Sequence, residues 1–387
     1  MKIAYSIGKL GNSGGIERVL STKVNYLAET FGYEVHIIVG GKQPESLFYP
    51  FSDKIHFHYL GAVIAGLTRN LRKNVFQRMA DQVRHDSLYR QKLEQKLIEI
   101  QPDITISTFG KDAAFLYKLN DGSRKVLEFH FTKNYLKHLG ESLQNDKFRF
   151  IRRFWLDFLQ KRERRWAKNY DHIVVLTNRD KQLWSGGEQF TVIPNPLSFN
   201  TKRLATLENK RIVSMGRLVY PKGFSYLIDA FSQIHKQFPD WQLWIYGDGQ
   251  EKPVFQNQIN TLSLQDKIIL QMPDADVETI LQDASLFVLP SLYDGFGLVL
   301  TEAMVCGVPC VAFDCECGPA EIIRDNEDGF LVELKNTQVL AAKMAVLMEN
   351  VALRQTIGRK AAENILRFDT GKIMALWQAY FNRILQN

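Results

Sequence analysis

Short apolar runs alternate with longer helical patterns along the first half of the chain. The runs are rich in Val, Ile, Phe and Tyr, and Gly, Pro, Asn or Asp bounds them, which is typical of buried strands. The segments between them, such as 16–30 and 76–100, repeat their apolar residues with a helical period. The predicted strands of this half are 2–8, 34–40, 55–61, 103–109, 125–131, 172–177 and 190–193.

The same alternation restarts after a polar stretch. The sequence Ile-Pro-Asn-Pro at 193–196 breaks the pattern, and the chain from there to residue 210 reads as a linker. Further strands are then predicted at 211–216, 241–247, 267–272, 285–290 and 309–313. Helices are predicted at 224–237, 254–262, 275–281, 298–306, 339–349, 353–366 and 372–385.

Strands that alternate with helices favour a parallel sheet that is covered on both faces. We therefore predict an α/β fold in which two Rossmann-like, doubly wound domains face each other across a cleft. The first domain is expected to span 1–196 and the second 197–368, with the helix within 369–387 packing back on the first. Ligands of such folds bind at the carboxyl ends of the strands, so the cleft is the predicted site.

Composition narrows the class of protein. Hydrophobic residues make up 45% and charged residues 24% of the 387 residues, which excludes intrinsic disorder and collagen-like repeats. Four cysteines are too few for a disulfide framework. The first apolar run is too short for a signal peptide, and no run of about 18 uncharged apolar residues occurs. We therefore expect a cytoplasmic protein, or one attached peripherally to the inner face of the cell membrane.

The positive charge is concentrated in one segment. Residues 147–168 contain nine cations and two acids, a net charge of +7 that equals that of the whole chain, and aromatic and aliphatic residues are interleaved. The pattern fits a basic amphipathic helix on an anionic membrane or the basic wall of an acceptor cleft. An ordinary helix with solvated cations fits it too. No nucleic-acid-binding module accompanies the segment, so no nucleic acid is expected as a partner.

Two loops carry candidate phosphate-binding residues. The loop at 8–17 contains Gly14 and Gly15, which let backbone N–H groups approach a phosphate at the start of a helix, although a flexible turn would look the same. Its spacing is not G-x-G-x-x-G and no acid ends the second strand, which disfavours a nicotinamide enzyme. In the loop at 216–223, Arg217 and Lys222 could neutralise a diphosphate, or be two solvated cations.

A third motif spans 290–304. In this motif a turn formed by Gly295, Phe296, Gly297 and Leu298 precedes a predicted helix. Free backbone N–H groups therefore point outward at the N-terminus of that helix. Asp294 and Glu302 are eight residues apart, or about two helical turns. One acid could then lie near the phosphate end of a ligand and the other near a vicinal diol. Alternatively, Glu302 is a buried capping partner and Asp294 forms an Asx turn.

These motifs, in this order, resemble those of the retaining glycosyltransferases of family 4, which have the two-domain GT-B fold. The resemblance rests on the Gly-Gly loop, G-R-L-x-x-x-K-G, G-D-G at 247–249 and D-G-F-G-x-x-x-x-E. It covers nearly the whole chain, is strongest over 211–329 and is weak over 40–100, as expected for an acceptor-binding region. It implies transfer of a sugar from a nucleotide-sugar, and a UDP-sugar is the donor that we expect. The implied acceptor is a lipid-linked glycan or a polysaccharide or lipopolysaccharide precursor of a bacterial envelope.

The resemblance also implies roles for single residues. Arg217 and Lys222 would hold the donor diphosphate, with the N–H groups of 295–298 beside it, and Glu302 would bind the ribose. Asp294 would meet the donor sugar, although it stands where Glu is usual, which leaves the identity of that sugar open. Gly14 and Gly15 would face the diphosphate and the acceptor. His130 would lie near the transferred sugar, unless it is a core histidine at a strand end.

No metal and no cofactor are expected. The sequence Asp274-x-Asp276 resembles a metal-binding D-x-D, but it precedes a short helical pattern in which Asp serves as an N-cap. The spacing of Cys306, Cys310, Cys315 and Cys317 fits no common zinc pattern. Two alternatives to the transferase stay open: a nucleotide-sugar epimerase or hydrolase of the same fold, and a non-catalytic, basic peripheral membrane protein.

Overall fold

The first half of the chain forms one seven-stranded parallel sheet. The structure is a computed structural model that describes residues 1–12, 14–62, 75–141 and 149–386. The strands are β1 (Lys2–Ile7), β2 (Glu34–Val39), β3 (Ile55–Tyr59), β4 (Ile104–Ser107), β5 (Arg124–Phe129), β6 (His172–Val175) and β7 (Phe190–Val192). Their order across the sheet is β3-β2-β1-β4-β5-β6-β7.

The second half forms a six-stranded parallel sheet of the same design. Its strands are β8 (Arg211–Met215), β9 (Gln242–Tyr246), β10 (Ile268–Gln271), β11 (Leu286–Leu289), β12 (Cys310–Phe313) and β13 (Gly329–Val332). Their order is β10-β9-β8-β11-β12-β13. The predicted α/β class with two doubly wound sheets is confirmed. The division of the chain at residue 196 stays a prediction.

Helices cover both faces of each sheet. Around the first sheet they are α1 (Gly15–Glu29), α2 (Val75–Ile100), α3 (Tyr135–Glu141), α4 (Arg149–Ala167) and α5 (Asn178–Leu183). The second half contains α6 (Phe224–Ile234), α7 (Lys252–Thr261), α8 (Val277–Gln282), α9 (Leu298–Val305), α10 (Pro319–Ile322), α11 (Thr337–Glu349) and α12 (Val351–Asn364). Helix α13 (Thr370–Gln386) ends the chain and packs against α1, with Trp377 buried in the contact.

The twelve strands expected from the sequence are all present, and β13 is an additional one. Helices α3, α5 and α10 were not predicted either. They contain seven, six and four residues, which is too short for a helical period to emerge from the sequence. Buried strands such as β11 and β12 were predictable because parallel strands read as continuous apolar runs.

The sheet topology brings the predicted loops to the cleft. In the first sheet the strand order reverses between β1 and β4, and in the second between β8 and β11. The loops that follow β1, β8 and β11 contain the three motifs, at 8–12 and 14, at 216–223 and at 290–297. Ligands of open parallel sheets bind at such reversal points, beyond the carboxyl ends of the strands.

Three histidines lie side by side at the edge of the first sheet. His36 of β2 is paired in register with His56 of β3, and its Nδ1 lies 3.0 Å from Nε2 of His58. Burial and, to a smaller extent, the neighbouring His36 lower the pKa of His58 to about 4. Burial lowers the pKa of His36 as well, against the effect of Glu34. Both rings are therefore neutral at neutral pH.

This cluster predicts a loss of stability in acid. Because the pKa of His58 falls from about 6.5 in the unfolded chain to about 4 in the fold, the unfolded state binds more protons between these values. The free energy of unfolding should therefore decrease as the pH falls from about 6.5 towards 4. Urea unfolding of the wild type and of His58→Gln at several pH values measures this effect. A variant with the same decrease as the wild type would contradict the assignment.

Candidate active site

The two glycine-rich turns face each other across the cleft. Gly14 is the N-cap of α1, and a side chain at Gly15 would reach within 4.0 Å of Leu298, the first residue of α9. Glu17 holds the first turn, since its carboxylate accepts hydrogen bonds from the Gly14 N–H (3.4 Å) and from Asn12 (3.2 Å). The N-terminus of α1, which covers the first sheet, and that of α9, which covers the second, thus both point into the cleft. Two helix N-termini at one place favour anion binding.

The two predicted phosphate-binding cations have different surroundings. Lys222 Nζ lies 2.6 Å from Asp294 Oδ2, and Ser291 Oγ donates to the same oxygen at 3.4 Å. Arg217 is exposed, and its guanidinium has no ion-pair partner in the part of the chain that the structure describes. The structure therefore places one cation beside an acid and leaves the other available to an anionic ligand.

Asp294 and Glu302 do not share a helix. Helix α9 begins at Leu298, after Gly297 in a left-handed conformation (φ +94°), so Asp294 lies in the preceding loop. The picture of two acids two turns apart along one helix was wrong for this reason. The loop still directs Asp294 towards Lys222, while Glu302 lies one turn inside α9.

The glycines of the G-D-G motif at 247–249 serve packing. Side chains at Gly247 and Gly249 would overlap the carbonyl oxygens of Gly216 and Leu218. The Leu218 N–H also donates to the Asp248 carbonyl at 2.9 Å. The backbone after β9 therefore supports the loop that carries Arg217, and only glycine permits this close approach.

Glu302 is a buried carboxylate that is neutralised from the opposite sheet. Its side chain is 2% exposed and forms an ion pair with Arg18 of α1. Burial raises the pKa of Glu302, and the Arg18 guanidinium opposes this shift. Arg18 also lies over the ring of Tyr49, 5.2 Å from its centroid. Sequence reasoning missed Arg18; its position one turn after Gly14 was the available signal.

His130 lies in the wall of the cleft, where it contacts the loop of Asp294. A side chain at Gly295 would come within 2.2 Å of the His130 carbonyl oxygen, so the two backbones touch. The ring of His130 is 5% exposed, and its Nε2 lies 3.5 Å from Oε1 of Glu128. Burial lowers the pKa of His130, against the Glu128 carboxylate, and the Lys23 ammonium also lowers it.

A second set of contacts closes the cleft near α3. The loop after β12 supplies the acids: Glu316 accepts from Asn134 Nδ2 at 2.7 Å and lies 3.1 Å from His138 Nε2. The ring of His138 stacks on that of Tyr293, with centroids 4.9 Å apart. In addition, the guanidinium of Arg179 lies 2.5 Å from Asp314. None of these residues was predicted, because their partners are distant in sequence.

The aspartates and cysteines considered as metal ligands have structural roles: one caps a helix and the thiols are buried. Asp276 caps α8, since its Oδ1 accepts from the Thr279 N–H at 3.1 Å. All four cysteines are buried free thiols, and burial raises the pKa of each one. Within 1–12, 14–62, 75–141 and 149–386, no group of three or more His, Cys, Asp or Glu side chains is arranged to hold a metal. That the reaction needs no metal stays a prediction.

Helix α4 exposes aromatic side chains in the basic segment, of which Lys147 and Phe148 lie outside the described residues. The exposed fractions are 76% for Phe154, 56% for Trp155 and 48% for Phe158. Cations follow them on the same surface, whereas Arg164 turns inward and donates to Asn134 at 3.0 Å. The aromatic residues are thus not part of the core. No helix in the described ranges is long and apolar enough to cross a membrane.

Comparison with known proteins identifies the class. The description "Glycosyltransferase Family 4" matches residues 13–200 and "Glycosyl transferases group 1" matches residues 199–364. An uncharacterized glycosyltransferase of Haemophilus influenzae is 30% identical over 386 residues, covering 97% of this chain and 99% of that protein. The chain therefore belongs to the group 1 glycosyltransferases of family 4. It is an enzyme of the transferase class, and the non-catalytic alternative is set aside.

Solved structures show the same fold. Staphylococcus aureus TarM, in complex with Fondaparinux, α-GlcNAc-glycerol and UDP, has a TM-score of 0.77 at 16% identity and covers 98% of this chain and 99% of its own. Sucrose-phosphate synthase from Thermosynechococcus elongatus has a TM-score of 0.79 at 18% identity and covers 100% of this chain and 99% of its own. The fold is thus GT-B.

Polymer-modifying enzymes are also among the relatives. A poly(ribitol-phosphate) α-N-acetylglucosaminyltransferase of Staphylococcus aureus is 33% identical over 177 residues, which are 45% of this chain and 36% of that protein. The amylovoran biosynthesis glycosyltransferase AmsD of Erwinia amylovora is 28% identical over 222 residues, or 55% of this chain and 62% of that protein. The homologues therefore include enzymes named for work on polysaccharides and on teichoic-acid-type polymers.

The backbone contact between His130 and Gly295 predicts a steric requirement. In Gly295→Ala the new Cβ would lie 2.2 Å from the His130 carbonyl oxygen, so the two segments must separate. Since a misplacement of about 1 Å can slow a reaction about 10²-fold, glycosyl transfer should fall on that order. Gly187→Ala is the control, because its Cβ would have no neighbour nearer than 3.9 Å. Equal activity of both variants, measured beside circular dichroism, would contradict the contact.

Proposed function

We propose that the protein is a retaining glycosyltransferase that uses a UDP-sugar and acts on a polysaccharide or lipid-linked precursor. The observation that carries this proposal is the charge pattern of the cleft. Arg217 is exposed and Lys222 is held by Asp294 in the loop before α9, while Glu302 is buried one turn inside α9 and paired with Arg18. A nucleoside diphosphate linked to a sugar matches this pattern along its length. TarM with UDP and Anabaena HepE with UDP-glucose are structural neighbours that support the donor class.

The leaving group determines the mechanism. Breaking the bond between sugar and phosphate develops an oxocarbenium-like sugar and a negatively charged diphosphate. Arg217 and the N–H groups at Gly297 and Leu298 stabilise that charge as it forms, and Lys222 joins them once it leaves Asp294. Gly14 and Gly15 leave room for the diphosphate on the opposite side. Release of Lys222 towards the diphosphate frees Asp294 for the sugar hydroxyls.

The ribose would lie at Glu302. Arg18 pairs with one oxygen of the Glu302 carboxylate, the Ser198 hydroxyl also lies beside this carboxylate, and the other oxygen would accept from the vicinal diol. His130, at the contact between the domains, would lie near the transferred sugar. The relatives named for α-linked products, such as the poly(ribitol-phosphate) enzyme, support retention, since an α-linked donor then gives an α-linked product.

The proposed division of the site predicts two different losses. Glu302→Gln keeps the shape of the side chain but removes the charged acceptor, so UDP affinity should fall by roughly 1.5–3 kcal/mol. Asp294→Asn should bind free UDP nearly as before, while turnover of the sugar donor drops. Calorimetric titration with UDP beside donor kinetics measures both effects. If Asp294→Asn weakens UDP as much as Glu302→Gln does, the sugar end and the ribose end are wrongly assigned.

A divalent metal should be dispensable. Two cations and a helix N-terminus already offset the diphosphate charge, so we expect glycosyl transfer to survive EDTA. The assay measures initial rates with and without chelator, and then with added manganese or magnesium. Complete loss on chelation, with recovery in either metal, would instead assign the diphosphate to a metal held near Asp274 and Asp276.

We also propose that α4 attaches the enzyme to the inner face of an anionic membrane. Phe154 and Phe158 lie one turn apart on the exposed side of α4, and Lys161 and Arg165 continue that stripe. Aromatic side chains enter the headgroup region of a bilayer, and cations are attracted to anionic lipids. A lipid-linked acceptor would then approach from the side of α4, whose Arg164 contacts Asn134 at the edge of the cleft.

Vesicle binding tests this attachment. The protein should sediment with anionic vesicles more than with neutral ones, and salt should weaken the binding. Changing Lys161, Arg162 and Arg165 to Gln should reduce sedimentation. Changing Lys236, Arg359 and Lys360 to Gln is the control, because it removes the same charge from exposed positions in the second half of the chain. Equal losses in both triple variants, or equal binding to neutral lipid, would contradict the proposal.

A further inference from the structure

A buried ion pair lies behind the wall of the cleft, and the proposed chemistry does not use it. Lys23 Nζ of α1 lies 2.6 Å from Glu128 Oε1 of β5, and the side chains are 1% and 2% exposed. Two buried charges lose their hydration, and replacing such a pair with apolar residues of similar size is often neutral or stabilising. Stability alone therefore does not account for this pair.

The same carboxylate oxygen contacts His130. Oε1 of Glu128 lies 3.5 Å from His130 Nε2, so one atom joins Lys23 to the imidazole. Glu128 lies in β5 and His130 follows directly after the end of that strand, and their side chains turn towards each other. The backbone of His130 in turn contacts Gly295. A continuous series of contacts thus leads from α1 to the loop of Asp294.

Aromatic side chains hold Lys23 in place. Its Nζ lies 3.7 Å from the ring centroid of Trp377 in α13 and 5.3 Å from that of Tyr5 in β1. The negative charge of Glu128 also helps to raise the pKa of Tyr380 in α13, after the larger effect of burial. The cation is therefore fixed by one carboxylate and two aromatic faces, and it has little freedom to leave Glu128.

We propose that Lys23 and Glu128 are positioning residues for His130. Lys23 fixes the Glu128 carboxylate, and the carboxylate holds the imidazole in one orientation at the cleft. Trp377 completes the arrangement, so the last helix of the chain contributes to a site formed by the first sheet. The inference rests on the proposed function in one respect only, the assignment of His130 to the transferred sugar.

A double variant separates positioning from stability. In Lys23→Met with Glu128→Leu no buried charge is left unpaired, so the melting temperature should stay the same or rise. The imidazole loses its partner, so kcat should fall by about 10-fold to 10²-fold while KM for the donor changes little. The NMR signals of the His130 ring should shift. The control is Lys125→Met with Asp121→Leu, which removes a largely buried ion pair at the opposite end of the same strand.

Each outcome decides the question. A stable double variant with the kcat and the His130 signals of the wild type would overturn the proposal. If the double variant does not fold, Glu128→Asp withdraws the carboxylate while keeping its charge, and the same fall in kcat is expected; wild-type kcat would overturn the proposal. His130→Gln separates the two proposals. If it keeps wild-type turnover, the role of His130 in transfer is wrong, and the shift of the ring signals still tests the positioning contact.

Discussion

The site depends on a buried carboxylate that its own domain does not neutralise. Glu302 lies inside α9 in the second half of the chain, and its ion-pair partner, Arg18, comes from the first half. A buried, unpaired charge is costly, so the fold is complete here only when the two sheets face each other. The contact of Gly295 with the His130 backbone and the pairing of Asp314 and Glu316 with the first half depend on the same approach. The cleft is therefore a joint property of both sheets.

Charge is distributed along the cleft in a definite order. The turns before α1 and α9 offer backbone N–H groups, Arg217 is exposed beside them, and Lys222 is held by Asp294. Negative charge is buried at Glu302, one turn inside α9, where Arg18 pairs with it. The nucleotide-sugar that we propose as the donor, with an anionic diphosphate and hydroxyl groups on either side of it, fits this order. The same order agrees with membership in a glycosyltransferase family.

Most strands and helices could be predicted from local sequence patterns. Contacts between side chains that are far apart in the sequence could not. Most of the twelve expected strands were visible because buried parallel strands are mainly apolar, and Asp276 was recognisable as a cap from its place before a helix. The motifs predicted Arg217, Lys222 and Glu302 as site residues, and these residues follow β8 and β11 at the carboxyl ends of the second sheet. Lys23 gave no signal, since a lysine in a helix is ordinarily exposed and its partner lies 105 residues away. The aromatic face of α4 was visible as a pattern, but its exposure was not.

A crystal structure of the enzyme with UDP tests the central claim most directly. We expect the diphosphate at the N-terminus of α9, in contact with Arg217 and Lys222. We expect the ribose hydroxyls to donate to Glu302, which keeps its contact with Arg18. Density for UDP elsewhere, or a diphosphate held by a metal near Asp274 and Asp276 and remote from Arg217, would contradict the account.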